Sequence, residues 1–388
     1  MTEIYKPQGV LRFFLALFVL WSHSLIFFLP EFSGWFPKLQ LGNVAVACFF
    51  VLSGYLMYEA SQSWYRERPG AFILNRYLRI IPPYLMAALV SIATHFGFAF
   101  FLGSVAGIDT IPPDAITQKN ASAAVLSGLF PFSIFLIKPL GLSDPSYDFV
   151  RFSWAIFTEL LFYWALFAFM VARSVIPYRI ANASVLAGAL LCSAIGFLFY
   201  NGAFLNVAPR LVELAIKIPF AFHLQWTPHF ILGVAISILS RRPSFGAGLL
   251  LATASALAIA QIAVYAMRQG AVSTMLVIVG YVLLVSIIYR ISRLSSEQIA
   301  SRWWLSKSLD RRYGNLSYPV YINQFGLSVA FLSFAMAAGW MIENASFPQR
   351  LAYFLMYNVF IIVTSWVLIQ ITDVITHSVR QRIRGGAI

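Results

Sequence analysis

Apolar residues along this chain gather in long, nearly unbroken runs, with charged residues and most prolines in the gaps between them. Such runs fit neither the two-residue alternation of a half-buried strand nor the narrow stripe of a surface helix. An α-helix needs roughly 20 apolar residues to cross the hydrocarbon core of a bilayer. Runs of that kind occupy 9–29, 41–60, 82–103, 152–172, 183–200, 220–240, 246–264, 272–289, 316–338 and 352–374. The pattern predicts an all-α integral membrane protein, a bundle of about ten transmembrane helices. Segment 122–139 is apolar as well, but it is short and Pro131 interrupts it.

Composition turns the pattern into an exclusion. Hydrophobic residues make up 60% of the 388 and charged residues 11%, against roughly 45–50% and about 25% in soluble domains. So few charges cannot cover a globular fold of this size. Mean hydropathy is +0.78. The chain, 1–388, therefore reads as one transmembrane domain with no separate soluble domain and a basic tail at 375–388. No small-residue cleavage pattern follows the first run, so it is expected to remain as a helix. Cys48 and Cys192 lie inside apolar stretches and offer neither a disulfide framework nor a metal spacing. HExxH, Walker A and CxxC patterns are missing from the sequence, and no metal site is expected.

The net charge is +13, from 27 Lys and Arg against 14 Asp and Glu. In a soluble protein that would suggest nucleic acid; here it reports topology. With the N-terminus inside and ten alternating spans, 19 of the 27 cations fall on the inner side, as the positive-inside rule requires. Lys38, Arg268 and Arg350 are among the eight that fall outside. Counting 122–139 as a further span would reverse every later loop and put the densest arginine clusters outside. It is expected instead to be re-entrant or to lie on the bundle surface. Both termini are then cytoplasmic, no nucleic acid partner is expected, and the outer loops 104–151 and 201–219 are where an external substrate would be held.

Ionisable residues within spans are costly and mark function by default. His23 follows Arg12 by eleven residues. Eleven helical steps return a side chain to within about 20° of the same face, roughly 16 Å further along. A neutral imidazole is a candidate general base for a hydroxyl, and a guanidinium a candidate phosphate anchor. A carbonyl-bonded histidine and an ordinary topology anchor would give the same letters. In FFVLSG, Phe49 to Gly54, Ser53 can bond a substrate and Gly54 can admit a second helix, or both can simply mark a crossing. Arg76 and Arg79 in NRYLRIIPPY stand at i and i+3, just before the prolines expected to open helix three. Two adjacent guanidiniums suit a multiply charged phosphate, though a positive-inside cluster would look alike. Glu159, mid-span in WAIFTELLFY, must be protonated or paired. A histidine or arginine partner would make it orient a catalytic group; a structural ion pair is the other reading. His95, His223, His229 and His377 are expected as hydrogen-bonded packing residues.

In this order and spacing the motifs resemble the acyltransferase-3 family. The likeness is carried by Arg12 and His23 on helix one, by Phe49, Phe50, Ser53 and Gly54 on helix two, and by Arg76 and Arg79 before helix three. Trp154, Glu159, Phe162 and Tyr163 are similar to that family's W-S-L-S-V-E-E-x-F-Y segment. GNLSYPVYINQ, Gly314 to Gln324, is similar to its late G-x-x-S-Y-x-x-Y-L-x-H segment. The resemblance runs from helix one to helix nine. Two positions depart from it: Leu160 stands where the family has a second Glu, and Gln324 replaces the late His. An amide there can bind a hydroxyl but does no acid–base work.

The resemblance implies a multi-pass enzyme of the bacterial inner (plasma) membrane. Such an enzyme moves an acyl group, most simply acetyl, from cytoplasmic acyl-CoA to a hydroxyl of a cell-surface or lipid-linked carbohydrate. It implies His23 and Glu159 as catalytic, Arg12, Arg76 and Arg79 as donor-binding, and Ser53, Trp154, Tyr318 and Gln324 as substrate-binding. Acetyl-CoA or another acyl-CoA would be the donor substrate. His23 would deprotonate the hydroxyl for direct transfer or accept the acyl group first. The competing class is a transporter or flippase of a lipid-linked glycan, with the buried ions as a relay. Discontinuous helices in paired halves would favour it, and the sequence shows no such pairing. A structural or sensory membrane protein would leave the motif order unexplained.

Overall fold

The computed structural model describes residues 6–102, 149–150, 152–175, 188, 191–195, 221–302, 306–340, 342 and 344–385. The described residues form helices and no strand. The long helices are α1 (Gly9–Phe28), α2 (Leu41–Gln62), α3 (Pro69–Leu102), α4 (Ser153–Val175), α5 (Thr227–Arg241), α6 (Phe245–Met267), α7 (Ala271–Arg293), α8 (Lys307–Ala337) and α9 (Phe347–Gly385). Eight of them, all but α5, are long and apolar enough to cross a membrane. They correspond to eight of the ten runs expected from the sequence. The run 183–200, segment 122–139 and loops 104–151 and 201–219 fall mostly or wholly outside the described residues.

Two expected helices take a different form. Helix three begins at Pro69 rather than at residue 82, and Pro82 and Pro83 lie inside it. Each proline removes an amide donor, which frees the carbonyls of Leu78 and Arg79 and would end many soluble helices. Within a bundle, neighbouring helices can satisfy the weakened turn. Tyr318 on α8 donates its hydroxyl to the adjacent Ile80 carbonyl at 3.1 Å. Arg76 and Arg79 consequently lie inside a helix, not ahead of one. The run 220–240 is broken: a short helix, Ala221–Leu224, stops at a turn at Gln225 and Trp226 before the 15-residue α5 resumes with Pro228 in its first turn.

Helices α2, α5 and α8 are the inner elements, while α7 and α9 turn most of their side chains outward. Two close crossings lock the inner set. A Cβ on Gly54 would lie 2.0 Å from the Phe230 carbonyl oxygen, and one on Gly233 would lie 1.9 Å from that of Val51, so α2 and α5 meet backbone to backbone. At the start of α1, a Cβ on Gly9 would lie 2.0 Å from the Asp310 carbonyl oxygen, and one on Gly314 would lie 2.9 Å from Gly9 Cα. The buried Asp310 carboxylate accepts from the Gly9 and Val10 amides at 2.6 and 3.0 Å. It thereby caps a helix whose own N-cap, Gln8, makes no side-chain cap.

The ends of the bundle differ in charge. At one end the Lys6 ammonium donates to the Leu294 carbonyl, Arg241 pairs with Glu59, and Ser240 meets Ser292 at 2.8 Å. At the other end Gln40 donates to Ser273 at 3.2 Å, Ser273 donates to the Lys38 carbonyl at 2.8 Å, and Arg350 pairs with Glu31. Arg12, Arg66, Arg68, Arg290, Arg293 and Arg311 gather at the first of these, the basic end.

Candidate active site

Three helices present the same spacing to one small cavity near the basic end. Helix α2 contributes Phe49, Phe50 and Ser53; α4 contributes Ala155, Ile156 and Glu159; α8 contributes Ser317, Tyr318 and Tyr321. Each set is i, i+1, i+4, the spacing that puts side chains on one face of a helix. Arg12 of α1 completes the wall, and the enclosed volume is about 50 Å³. Gly54, next to Ser53, is turned to the α5 crossing, so close packing on one side fixes the hydroxyl on the other.

Glu159 is the hub of this cavity. Its Oε1 accepts from Ser53 Oγ at 2.9 Å and from the Tyr163 hydroxyl. Tyr163 also forms one wall around Arg76, whose guanidinium carbon lies 5.6 Å from the Tyr163 ring centroid and 5.4 Å from that of Phe72. Arg76 is buried, and its Nε has no hydrogen-bond partner among the described residues. Arg12, Arg76 and Arg79 are near enough to repel one another, and Glu159 attracts Arg12 and Arg79. Three guanidiniums against two carboxylates, Glu159 and the Asp310 that also attracts Arg12, leave an excess of positive charge, and such a cluster favours a bound anion.

His23 lines a second, larger cavity of about 680 Å³, together with Trp154, Gln225 and Trp226. Its ring centroid is 4.6 Å from that of Phe152. Trp154 and Trp226 stack with centroids 5.5 Å apart. The turn that breaks the helix at Gln225 and Trp226 sits on this wall, where irregular backbone is tolerated because it faces a cavity. Val46 and Tyr321 line both cavities. Tyr321 donates to the Phe152 carbonyl at 3.3 Å and so forms the partition. Arg12 and His23 thus open onto adjoining spaces along one face of α1.

The remaining candidates scatter. Tyr318 joins the small cavity; Gln324 lines neither cavity. It is 2% exposed, and neither amide atom has a partner among the described residues. His95, His223 and His229 are held by hydrogen bonds to the Ser91 carbonyl, to Thr158 and to Tyr281, each at 2.6 Å. That is the packing role expected for them; His377 has no described side chain.

The family model described as an acyltransferase domain matches residues 9–370, nearly the whole chain. The chain belongs to the acyltransferase-3 family. Neither a curated protein nor a solved structure matches it. It is a membrane acyltransferase, and the transporter reading is not favoured.

Several residues that shape the site of this acyltransferase were not singled out from the sequence. Tyr163 was part of a motif but had no role; its position four residues after Glu159 on a helix is a signal for a shared face. Tyr321 sits three residues after Tyr318, which is the same signal. Trp226 and Asp310 had none, because their partners Trp154 and Gly9 are far away in the chain.

Proposed function

We propose that this acyltransferase takes its acyl group from acyl-CoA at the basic end and gives it to a carbohydrate hydroxyl in the larger cavity. The reading is carried by the shared walls, Val46 and Tyr321, between the small cavity walled by Arg12 and the cavity of His23. The cation-rich end faces the cytoplasm by the positive-inside rule, and CoA, too charged to cross lipid, approaches there. Arg79 and Arg12 bind its phosphates, with Arg76 held behind them between two rings. The pantetheine arm points along α1 toward His23. About 50 Å³ is too little for a nucleotide, so only the thin arm passes Tyr321, and that ring must swing aside.

The acceptor lies among Trp154, Trp226 and amide side chains, which offer apolar faces for a sugar ring and hydrogen bonds for its hydroxyls. His23 removes the hydroxyl proton as the oxygen attacks the thioester carbonyl. The new C–O bond forms, the C–S bond breaks, and the imidazolium returns the proton to the departing CoA thiolate. Glu159 takes no part in the proton transfer in this scheme; it holds the arginines through charge and Ser53 through a hydrogen bond. The acetyl group is the simplest cargo.

The test uses purified protein in nanodiscs with radiolabelled acetyl-CoA and a polysaccharide acceptor. Label should move to the carbohydrate in wild type and not in His23→Ala, with CoA binding retained in both. Transfer surviving in His23→Ala overturns the assignment.

A further inference from the structure

We propose that Asn43 makes this enzyme select its acceptor sugar by a second hydroxyl, one that donates a hydrogen bond beside the hydroxyl to be acylated. The inference rests on reading the larger cavity as the acceptor site. Asn43, in the first turn of α2, lines that cavity together with Gln40, the residue just before the helix.

A relay of three hydrogen bonds fixes which end of the Asn43 amide meets the cavity. It starts at the Lys38 carbonyl, which can only accept. Ser273 of α7, fully buried, donates its one hydroxyl proton to that carbonyl at 2.8 Å. The serine oxygen is left as an acceptor, so the Gln40 group that meets it at 3.2 Å is the amide nitrogen. The carbonyl end of Gln40 then points at Asn43, whose nitrogen donates to it at 3.2 Å. Asn43 is half-buried on the cavity wall, and the relay leaves Oδ1, the other end of its amide, to the cavity. Reversing that amide would mean reversing Gln40 too, and Ser273 has no second proton to allow it. An oxygen so fixed accepts from a hydroxyl and gains nothing from a group without a proton to give.

The backbone at Gln40 is a second, independent observation. Its φ is +43° and its ψ 42°, and it is the one non-glycine residue in the left-handed region among the described residues. That conformation is costly for a side-chain-bearing residue and collects at functional sites. It turns the chain from the short 3-10 helix Phe36–Leu39 into α2, with Phe36, Pro37, Gln40 and Asn43 on one cavity.

The rival reading is that the relay only stitches the segment before α2 to α7. Acceptor choice would then be blind to a donated hydroxyl. Equilibrium binding to the full chain in nanodiscs separates the two. The probes are the methyl glycosides of glucose, galactose and mannose. Each is compared with derivatives in which one hydroxyl at a time is a methyl ether, which accepts but cannot donate. In wild type one such ether should bind about tenfold more weakly than its parent, because it leaves the Asn43 oxygen without a donor. Asn43→Ala removes that oxygen and makes room for the methyl, and should bring the pair within about twofold. Ser273→Ala lies away from the cavity; it removes the proton that sets the direction of the relay and should cut the preference to about threefold or less. A relay that only stitches the fold would leave the preference untouched there.

No ether effect in wild type, or one that persists undiminished in either variant, overturns the inference. Failure of wild type to bind any of the glycosides overturns the acceptor reading and the inference with it. Acyl transfer from acetyl-CoA is measured on the same samples, and the ether at the attacked hydroxyl is recognised because it blocks transfer in every variant. Transfer without discrimination sinks only the role of Asn43; discrimination without transfer sinks the acyl-transfer chemistry and leaves Asn43 as a sugar-binding residue.

Discussion

Ser53 on α2 donates a hydrogen bond to Glu159 on α4 at 2.9 Å, across 106 positions of sequence. The same carboxylate oxygen accepts from Tyr163, which walls Arg76. One bond thus ties the serine of FFVLSG to the carboxylate of WAIFTELLFY, and the carboxylate to the arginines of helices one and three. Neither motif alone implies the other.

That tie sets the first prediction. Glu159→Gln keeps the shape but removes the carboxylate charge that attracts Arg12 and Arg79, and should cost about 1–3 kcal/mol of stability. Ser53→Ala removes one hydrogen bond and should cost about 1 kcal/mol. Thermal unfolding in detergent reads both, and an unchanged midpoint in Glu159→Gln would remove Glu159 from its place as hub.

Donor binding should depend on the arginines and not on the histidine. Arg12→Ala and Arg79→Ala are each expected to weaken CoA binding by about tenfold or more, as loss of a charged phosphate contact does. Calorimetric titration with CoA is the readout. If both variants bind CoA as wild type does, the donor docks elsewhere.

Transfer, by contrast, should fall by about 100- to 10,000-fold in His23→Ala, the usual worth of a positioned general base. Rapid-quench labelling with acetyl-CoA and no acceptor separates two routes. Label retained on the protein would indicate an acyl-enzyme; label absent from it fits direct transfer.

Glycine substitutions give an internally controlled test of the helix crossings. Gly54→Ala and Gly233→Ala drive a methyl into a backbone carbonyl of the facing helix and should lose about 1–3 kcal/mol. A Cβ on Gly248 or Gly280 meets nothing within 4 Å, so alanine there should leave the unfolding midpoint within about a degree or raise it slightly. Equal effects at all four positions would contradict the close α2–α5 crossing.

Asp310→Ala uncaps α1, three residues before Arg12. The expected loss is about 1–2 kcal/mol, with a further drop in CoA affinity because Arg12 loses its fixed base. Asp310→Asn, which can still accept from the amides, should recover most of both. CoA titration and thermal unfolding of the two variants, run together, check it.

Much of this was legible in the chain because lipid imposes one rule on every span: apolar residues outside and backbone bonds satisfied within. Eight of the ten runs read from hydropathy are helices long and apolar enough to cross a membrane, α3 and α8 among them starting well before the expected residue. Two departures run in opposite directions. Pro82 and Pro83 look like a helix boundary when that segment is read alone, and the run 220–240 looks continuous through Pro228. Inside a bundle, Pro82 and Pro83 are absorbed into α3, with Tyr318 bonding the adjacent Ile80 carbonyl, while α5 restarts at Thr227 and Pro228 after a turn that faces a cavity. Local propensity cannot distinguish these outcomes, since the deciding groups lie on other helices.

By itself the sequence determined that the protein lives in a membrane as helices, where its cations gather, that Arg12 and His23 share a face of α1, and which family its motifs belong to. Those properties depend on composition and on spacings of a few turns, which a helix fixes on its own. Only the tertiary structure decided that Glu159 is bonded to Ser53 and Tyr163, that Arg76 sits between two rings, that Gln324 lies away from both cavities, and that Arg268 lines the cavity of His23. Each of these depends on which helix packs beside which. That choice is made by close crossings such as Gly54 with Gly233 and Gly9 with Gly314, where the missing side chain lets two backbones meet.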